Sequence, residues 1–513
     1  MAKNPLSNRM ADVEKAPSPS KAPRYGVEVR KPLSHRLGLG GGTKRRRGDV
    51  TKTARGAGAA QQAERYEEKR EKTPGFLSRV VNNWWNRLIG AVFGGGFSQQ
   101  SEQYLAHQTT RDYVLNTAGQ AAWGALFPLL TMVCTWGVGA EEAGLFSMAF
   151  TIGTLLLFLA NFGVRTYQVS DLDEMQSFYD YQINRVITCA LMLVVGLVYC
   201  KLRGYTEPMV SICMGVLCFR AVDGLADVYE GRLQQKDKLY LAGLSQGVRC
   251  VISFVAFTLA LFVTRNLVWA SFAMAIAAAA SLVLLSAPLA FFETDRSAPW
   301  STRGVTELFM QCWPLFLALF LYNVIDSVPK FAMEGTLSYD NQLYYSAMYF
   351  PAHTILMISS FIYKPQLVRL ALIWEDREKH RRFDLLVLAM IGVIALVTAL
   401  MALFMGWLGI PLLGLMYGLD FEQFRSLVYV MVATGGVCAC IDFLYQIITV
   451  LRAQGEVTVL YLIAFAFALP VALLLVNFAG LSGAVVGSLV SMAILLVLLV
   501  MEYARIRARM SKG

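Results

Sequence analysis

Long apolar stretches recur along the chain from about residue 114 to residue 503. Each is close to the 20 or so residues that an α-helix needs to cross a hydrocarbon core about 30 Å thick. We place twelve of them at 114–138, 143–165, 185–202, 209–229, 239–263, 267–292, 308–328, 343–363, 384–407, 425–450, 457–476 and 481–503. The pattern predicts an all-α, polytopic membrane protein with about twelve transmembrane helices.

Residues 76–93 follow a different pattern. Apolar side chains, among them Trp84 and Trp85, recur every three or four positions, and Arg79 and Arg87 lie on the opposite face. This spacing, with tryptophan near the polar boundary, is typical of an amphipathic helix that lies on a membrane surface. Packing against the cytoplasmic face of the protein itself is the alternative.

Composition supports a membrane body with a polar tail. The chain is 56% hydrophobic and 16% charged, whereas soluble domains carry about 25% charged residues. The formal net charge is +10, and residues 1–112 hold 21 Lys/Arg against 10 Asp/Glu, so the remainder is nearly neutral. This distribution argues against a nucleic-acid partner. Residues 1–75 are too polar to fold alone, and we predict a disordered basic tail that binds anionic lipid; a docking or phosphorylation segment is the alternative.

The loops between the predicted spans alternate in charge. Lys and Arg are concentrated in every second loop and at both ends of the chain, which places both termini in the cytoplasm. The acidic 166–184 loop is the weak point of this assignment. Lys330 and residues 408–424 fall in loops on the external side, and 408–424 is the longest of these.

Enzymatic chemistry has little support in the sequence. The nine cysteines lie in or beside apolar runs without a CxxC pair, and the four histidines are scattered, so we expect no metal site. No Walker A motif is present, and we expect no cofactor and no catalytic residues. The polar first twenty residues do not resemble a signal peptide.

Short similarities relate the two halves of the chain. Phe146-Ser147 in the second span matches Tyr345-Ser346 in the eighth at an offset of 199 positions, and this offset pairs Arg165 with Lys364. A slightly larger offset pairs Asp223 in the fourth span with Asp442 in the tenth. Two matches on corresponding helices predict two six-helix halves of the same topology, as found in many transporters.

Four motifs give the chain a resemblance to a known family: GLFS at 144–147, NFGVR at 161–165, RAQG at 452–455 and GLSGAVVG at 480–487. Together with the twelve spans they resemble the multidrug/oligosaccharidyl-lipid/polysaccharide exporter superfamily. Within it, the chain is most similar to polysaccharide flippases that move undecaprenyl-diphosphate-linked sugars. The resemblance covers about residues 113–505. It implies a secondary transporter that flips lipid-linked oligosaccharide from the cytoplasmic to the outer leaflet by rocking two lobes.

Cations inside the spans are the first candidates for a site. A charged side chain at mid-membrane costs about 2.5–3.5 kcal/mol, so it normally faces a partner or a wet cavity. We predict a cationic cleft that binds a diphosphate through Arg165, Arg185, Arg220, Arg249 and Lys364. Arg220 has Asp223 as an intrahelical partner, whereas Arg249 has no such neighbour. The alternative for both is a structural ion pair, of Arg220 with Asp223 or Asp227 and of Arg249 with another carboxylate. Arg165 and Lys364 are equally explained as topology determinants that reach toward the headgroups.

A second group is acidic or amidic. It consists of Asp223, Asn323, Asp326 and Asp442, which we predict to couple an ion or to line a polar cleft. Hydrogen bonding between helices is the alternative for Asp223 and Asp442. His353 is predicted to be a satisfied core histidine. The sequence leaves the membrane potential and an ion gradient open as the driving force.

Three rival functions remain. A lipid II flippase has nearly the same chemistry, and a multidrug efflux transporter belongs to the same superfamily. The excess of arginine argues against export of cationic drugs. A membrane glycosyltransferase or polymerase would need a larger external loop than 408–424.

The predicted organisation has six parts, at 1–75 (basic cytoplasmic tail), 76–112 (interfacial helix and linker), 113–293 (first lobe), 294–304 (cytoplasmic linker), 305–505 (second lobe) and 506–513 (basic C-terminal tail). We expect a multi-pass protein of the bacterial inner membrane. Its expected partners are a lipid-linked oligosaccharide and anionic lipid, with polysaccharide biosynthesis enzymes as further candidates.

Overall fold

The computed structural model describes residues 103–171, 174–374, 380–451 and 454–511. Every regular element within these ranges is helical. The first half contains α1 (Gln103–Val138), α2 (Ala140–Asn161), α3 (Val164–Ser170), α4 (Phe178–Leu202), α5 (Glu207–Gln235), α6 (Leu239–Thr264), α7 (Leu267–Ser281) and α8 (Ala287–Glu293). The second half contains α9 (Thr302–Met333), α10 (Asp340–Tyr363), α11 (Leu367–Trp374), α12 (His380–Phe404), α13 (Ile410–Tyr417), α14 (Arg425–Val450) and α15 (Gln454–Ser511). The predictions for 1–75 and for the helix at 76–93 lie outside the described residues.

The helices account for the predicted number of spans. Ten helical stretches in the described ranges are long and apolar enough to cross a membrane. One of them, within α15, bends at Gly480, where φ is 57° and ψ is −130°, so it forms two arms. Counting the arms separately and adding α10, a less apolar helix of 24 residues, gives the twelve predicted spans. The all-α, polytopic fold prediction is confirmed.

Two predicted external loops are partly helical. Helix α9 extends to Met333, so Lys330 lies inside a buried helix turn and not in a loop. In the second case, a π-helical turn at Met405–Gly409 continues α12 directly into α13, which ends only at Tyr417. The hydropathy average missed both extensions because a charged residue or a proline lowers it. Such a residue does not prevent a helix when the backbone groups around it find other hydrogen-bond partners.

Packing repeats between the two halves. Helix α1 lies along α6 in the first half as α9 lies along α15 in the second, and α2 packs on α5 as α10 packs on α14. The halves meet where α2 contacts α9 and α10. The repeat found in short motifs is therefore present in the packing of whole helices.

The contact between α1 and α6 depends on glycine. A Cβ atom at Gly119 would lie 2.3 Å from the carbonyl oxygen of Gly243, and one at Gly243 would lie 2.5 Å from the Cα of Asn116. Small residues allow membrane helices to approach backbone to backbone, where dispersion and not hydrophobic burial holds them together. Because α1 and α6 touch at Gly119 and Gly243, the polar face of α1 lies next to the polar face of α6.

Candidate functional site

A large cavity lies between the halves. It measures about 700 Å³, which is within the range of small-molecule sites, and α1, α2, α5, α6, α10 and α14 contribute to its walls. We call it the entrance cavity. Its charged lining residues are Arg165, Asp223, Asp227, Glu230, Arg249, Lys364 and Asp442. Three predicted cations and two predicted acids therefore meet in one place.

A tight turn positions Arg165 at this cavity. Phe162 and Gly163 take positive φ angles of 47° and 68°, which end α2 and redirect the chain into α3. The guanidinium of Arg165 then donates to Asp227 Oδ1 at 2.5 Å and to Gln234 Oε1 at 2.9 Å. Its side chain keeps 28% exposure, so it is paired but still accessible.

Arg249 has close acidic partners on a neighbouring helix, as the ion-pair alternative predicts. Its Nη2 donates to Asp223 Oδ1 at 2.8 Å and its Nη1 to Glu230 Oε1 at 2.5 Å. The residue is 1% exposed. Both acids lie on α5, so they are distant in sequence and become neighbours only when α5 packs against α6. Arg249 is a buried cation with two acidic partners, one of which, Asp223, it shares with Arg220.

Arg220 and Asp223 form the intrahelical pair, at 3.2 Å. The Arg220 guanidinium also lies 4.3 Å from the centre of the Phe150 ring and donates to Thr154 Oγ1. Asp223 accepts a further hydrogen bond from the indole of Trp123 at 2.8 Å. Asp223 thus joins α1, α5 and α6, which supports the hydrogen-bonding alternative for this residue.

Arg185 is not among the lining residues of the cavities described for this chain. It is fully buried and donates to Ala160 O, Asn161 Oδ1 and Asp227 Oδ2 at 2.8–2.9 Å. These bonds tie α4 to the end of α2. In this structure Arg185 holds Asp227 and the turn that carries Arg165.

The charged cavity residues of the second half have fewer ion-pair partners among the described residues. Lys364 lies just after α10, is exposed, and makes no ion pair with a residue that the structure describes. Asp442 accepts a hydrogen bond from the hydroxyl of Tyr363. His353, predicted to be a core residue, is half-buried and lines the cavity. The repeat explains the difference, because Gln446 and Thr449 stand where the first half has Asp227 and Glu230.

Both repeat-related pairs face the entrance cavity. Arg165 lies at the start of α3 and Lys364 just after α10, and Asp223 and Asp442 come from α5 and α14. Because every described arginine of the cavity has an acidic partner, the excess of arginine does not argue against a cationic ligand. That part of the sequence interpretation is wrong.

Glu230 was missed, although a sequence pattern marks it. Arg220, Asp223, Asp227, Glu230 and Gln234 recur at alternating steps of three and four on α5, which places them on one face of the helix. On α1, the same spacing joins Asn116, Gln120 and Trp123, which also line the cavity.

A second, smaller cavity of about 210 Å³ adjoins the first, and Trp123 and His353 line both. We call it the inner cavity. The predicted residues Arg220, Asn323 and Asp326 line it, as does Lys330. Asp326 accepts from the hydroxyl of Tyr349 at 2.9 Å, and Asn323 donates to Leu319 O within its own helix.

The halves touch beyond the inner cavity, where α2 and α10 begin. Ser147 and Ser346 are buried and hydrogen-bonded to each other, and Glu334 accepts from Arg203 at 2.7 Å and from Tyr205. The bond to Glu334 raises the pKa of Arg203, and burial together with the same carboxylate raises the pKa of Tyr205. We call this the closed side.

Solved membrane transporters share this fold. An inward-facing multidrug resistance MATE family transporter of the MOP superfamily superposes with a TM-score of 0.59 at 12% identity, covering 75% of this chain and 95% of that one. A MOP superfamily transporter from Pyrococcus furiosus gives 0.56 at 12% identity, over 78% and 96%. An outward-facing multidrug resistance MATE family transporter gives 0.52 at 13% identity, over 78% and 96%.

Neither a protein-family model nor a curated protein matches the chain in sequence. The structural likenesses show that this multi-pass helical chain has a MATE-like fold. At this level of identity they establish the fold alone.

Proposed function

We propose that this protein is a secondary transporter that flips an undecaprenyl-diphosphate-linked oligosaccharide across the bacterial inner membrane by alternating access of its two halves. The observation that carries the proposal is the pair Arg165 and Lys364, which the repeat relates and which line the same entrance cavity. Cations from both halves would hold a diphosphate between them, and Arg suits phosphate oxygens because its planar fork donates two parallel bonds.

Alternating access is supported by the asymmetry of the contacts. The entrance cavity reaches the helix ends that carry Arg165 and Lys364, whereas buried hydrogen bonds join the halves on the closed side. A substrate that binds both halves can shift the balance between two such arrangements only if it binds one of them better. The sign of the membrane potential would favour outward movement of a two-negative headgroup.

Reconstitution tests the proposal directly. Proteoliposomes would carry a fluorescent undecaprenyl-diphosphate oligosaccharide, and a membrane-impermeant quencher would report the leaflet that each molecule occupies. We expect protein-dependent flipping, with little movement of undecaprenol that lacks the diphosphate. Equal movement of both lipids would contradict diphosphate recognition. Lipid II, tested in the same vesicles, separates a cell-wall precursor from a polysaccharide precursor.

Export of a cationic drug is the second candidate. Four carboxylates line the entrance cavity, and Asp442 forms no ion pair with a described residue. An acidic wall with aromatic neighbours suits a lipophilic cation. Uptake of ethidium into the same proteoliposomes distinguishes the two functions: saturable ethidium transport without glycolipid flipping would favour the drug transporter.

A further inference from the structure

The inner cavity is too small for an oligosaccharide. Its volume of about 210 Å³ lies below the 300–1,000 Å³ of sites for drug-sized ligands. It joins the entrance cavity at Trp123 and His353. A headgroup held at the entrance could therefore extend only one small unit into this space.

Lys330 brings an ammonium group into the inner cavity, which Asp326 also lines, and no acidic side chain of the described residues contacts this ammonium group. Its ammonium group donates to Thr151 Oγ1 at 3.1 Å and lies 5.4–6.0 Å from the centres of the Phe127, Tyr345 and Tyr349 rings. Among the described residues it makes no ion pair. Asp326, one turn earlier on α9, instead accepts from Tyr349. A bound anion would strongly stabilise a buried ammonium group whose other contacts are a hydroxyl and aromatic rings.

The walls around Lys330 combine aromatic faces with hydrogen-bonding groups. Trp123, Phe150 and Tyr349 supply rings, and Asn323 and Thr154 supply an amide and a hydroxyl. A pyranose ring has the matching surface, since it presents an apolar C–H face and a rim of hydroxyl groups. Arg220 also lines the cavity, but it is already paired with Asp223.

We propose that the inner cavity binds an anionic monosaccharide unit of the transported headgroup, with the Lys330 ammonium paired to its negative group. The proposal rests on the proposed function, because it assigns a subsite within the same glycolipid site. A sugar carboxylate and a sugar phosphate share the required chemistry.

Binding at this subsite loosens a contact between the halves. Thr151 belongs to α2 in the first half and Lys330 to α9 in the second, so their hydrogen bond crosses the interface. An anion in the cavity competes with Thr151 for the ammonium group. When the headgroup binds, Lys330 therefore gives up its hydrogen bond to Thr151 in the other half and bonds to the ligand instead. This exchange takes place near the closed side.

The experiment measures binding of small probes to the full chain in lipid nanodiscs. The probes are glucuronate, glucose 1-phosphate and uncharged glucose, and the readouts are calorimetry and the fluorescence of Trp123, identified by comparison with Trp123→Phe. We expect at least one of the two anionic sugars to bind ten times more tightly than glucose. The stronger of the two identifies carboxylate or phosphate as the natural group. No preference over glucose would overturn the proposal.

Variants locate the binding. Lys330→Met should abolish the preference for the anion, whereas Lys201→Met, which removes an exposed lysine outside both cavities, should keep it. Thr151→Val removes the competing hydroxyl and should strengthen anion binding several-fold, a gain that a misfolded protein cannot show. A Lys330→Met protein that retains the preference, or a Thr151→Val protein with weaker binding, would contradict the assignment.

Flipping assays separate this subsite from the overall function. If wild-type protein flips glycolipids but shows no preference for anionic sugars, the subsite is refuted and the proposed function stands. If anionic sugars bind through Lys330 and no glycolipid is flipped, the glycolipid function fails while the binding site remains.

Discussion

The hydroxyl oxygens of Ser147 and Ser346 lie 2.7 Å apart, and the two residues are 199 positions apart in the chain. This separation is the offset that relates the second span to the eighth. Equivalent residues of two repeats can touch each other only near the axis that relates the repeats. The bond therefore marks the place where α2 and α10 cross at the centre of the interface, on the closed side.

A disulfide at this point should lock the protein. The short distance between the side chains is compatible with the geometry of a disulfide in the Ser147→Cys, Ser346→Cys double variant. We expect oxidation to stop transport because the closed side can no longer open, and a reductant should restore it. Since the chain has nine native cysteines, the parent and both single variants are oxidised in parallel. Full transport by a cross-linked protein would argue against opening at this interface.

Lys364 should matter more for transport than Arg165. Both line the entrance cavity, but Arg165 is already bonded to Asp227, whereas Lys364 has no ion pair among the described residues. A charge-assisted hydrogen bond contributes about 1.5–3 kcal/mol, so Lys364→Ala should slow glycolipid flipping roughly tenfold or more, and Lys364→Arg should preserve most of it. Arg303→Ala, at an arginine with 88% exposure, is the matched control. Equal rates for Lys364→Ala and Arg303→Ala would remove Lys364 from the site.

The repeat-related aspartates should differ in their effect on stability. Asp223 is buried between Arg220 and Arg249, and removal of one partner from a buried ion pair costs about 3–5 kcal/mol. Asp442 is half-buried and bonded to Tyr363. We expect Asp223→Asn to lower the melting temperature in detergent strongly and Asp442→Asn only slightly. Similar melting temperatures for the two variants would mean that the arginines find other partners.

Glu334 should control access from the closed side. Glu334→Gln weakens the bonds to Arg203 and Tyr205, and because Arg203 is 42% exposed, we expect a change of about 1 kcal/mol, or roughly fivefold in the opening equilibrium. The rate at which maleimide labels a cysteine at the buried Ser346 position reports this opening. The comparison uses Ser346→Cys with and without Glu334→Gln, and an unchanged labelling rate would show that Glu334 does not limit opening.

Gly119 tests the packing that holds α1 against α6. Gly119→Ala places a methyl group 2.3 Å from a backbone oxygen, and overpacking of this kind costs about 1–3 kcal/mol. Gly392 in α12 has nothing within 4 Å of an added Cβ, so Gly392→Ala should be neutral or slightly stabilising through helix propensity. Thermal unfolding in detergent measures both. Equal stability of the two variants would mean that α1 can shift away from α6 without loss.

Sequence alone determined the membrane spans and named five of the charged residues that line the entrance cavity. Hydropathy identified the twelve spans because the membrane requires each backbone to be satisfied within its own helix. Helical spacing placed Asp223 on the polar face of α5, and the repeat matched Arg165 to Lys364 and Asp223 to Asp442. These properties depend on spacing along one helix or on similarity between two segments. Both can be read directly from the amino-acid sequence.

Tertiary structure decided which charges neutralise one another. Arg249 meets Asp223 and Glu230 only because α5 packs on α6, and Lys330 meets Thr151 only because α9 packs on α2. The spacing of residues gives the face of a helix but not the helix that faces it, so pairing between spans cannot be derived from one sequence. The same packing decides that Arg185 is buried behind the cavity while Lys364 remains available to a ligand.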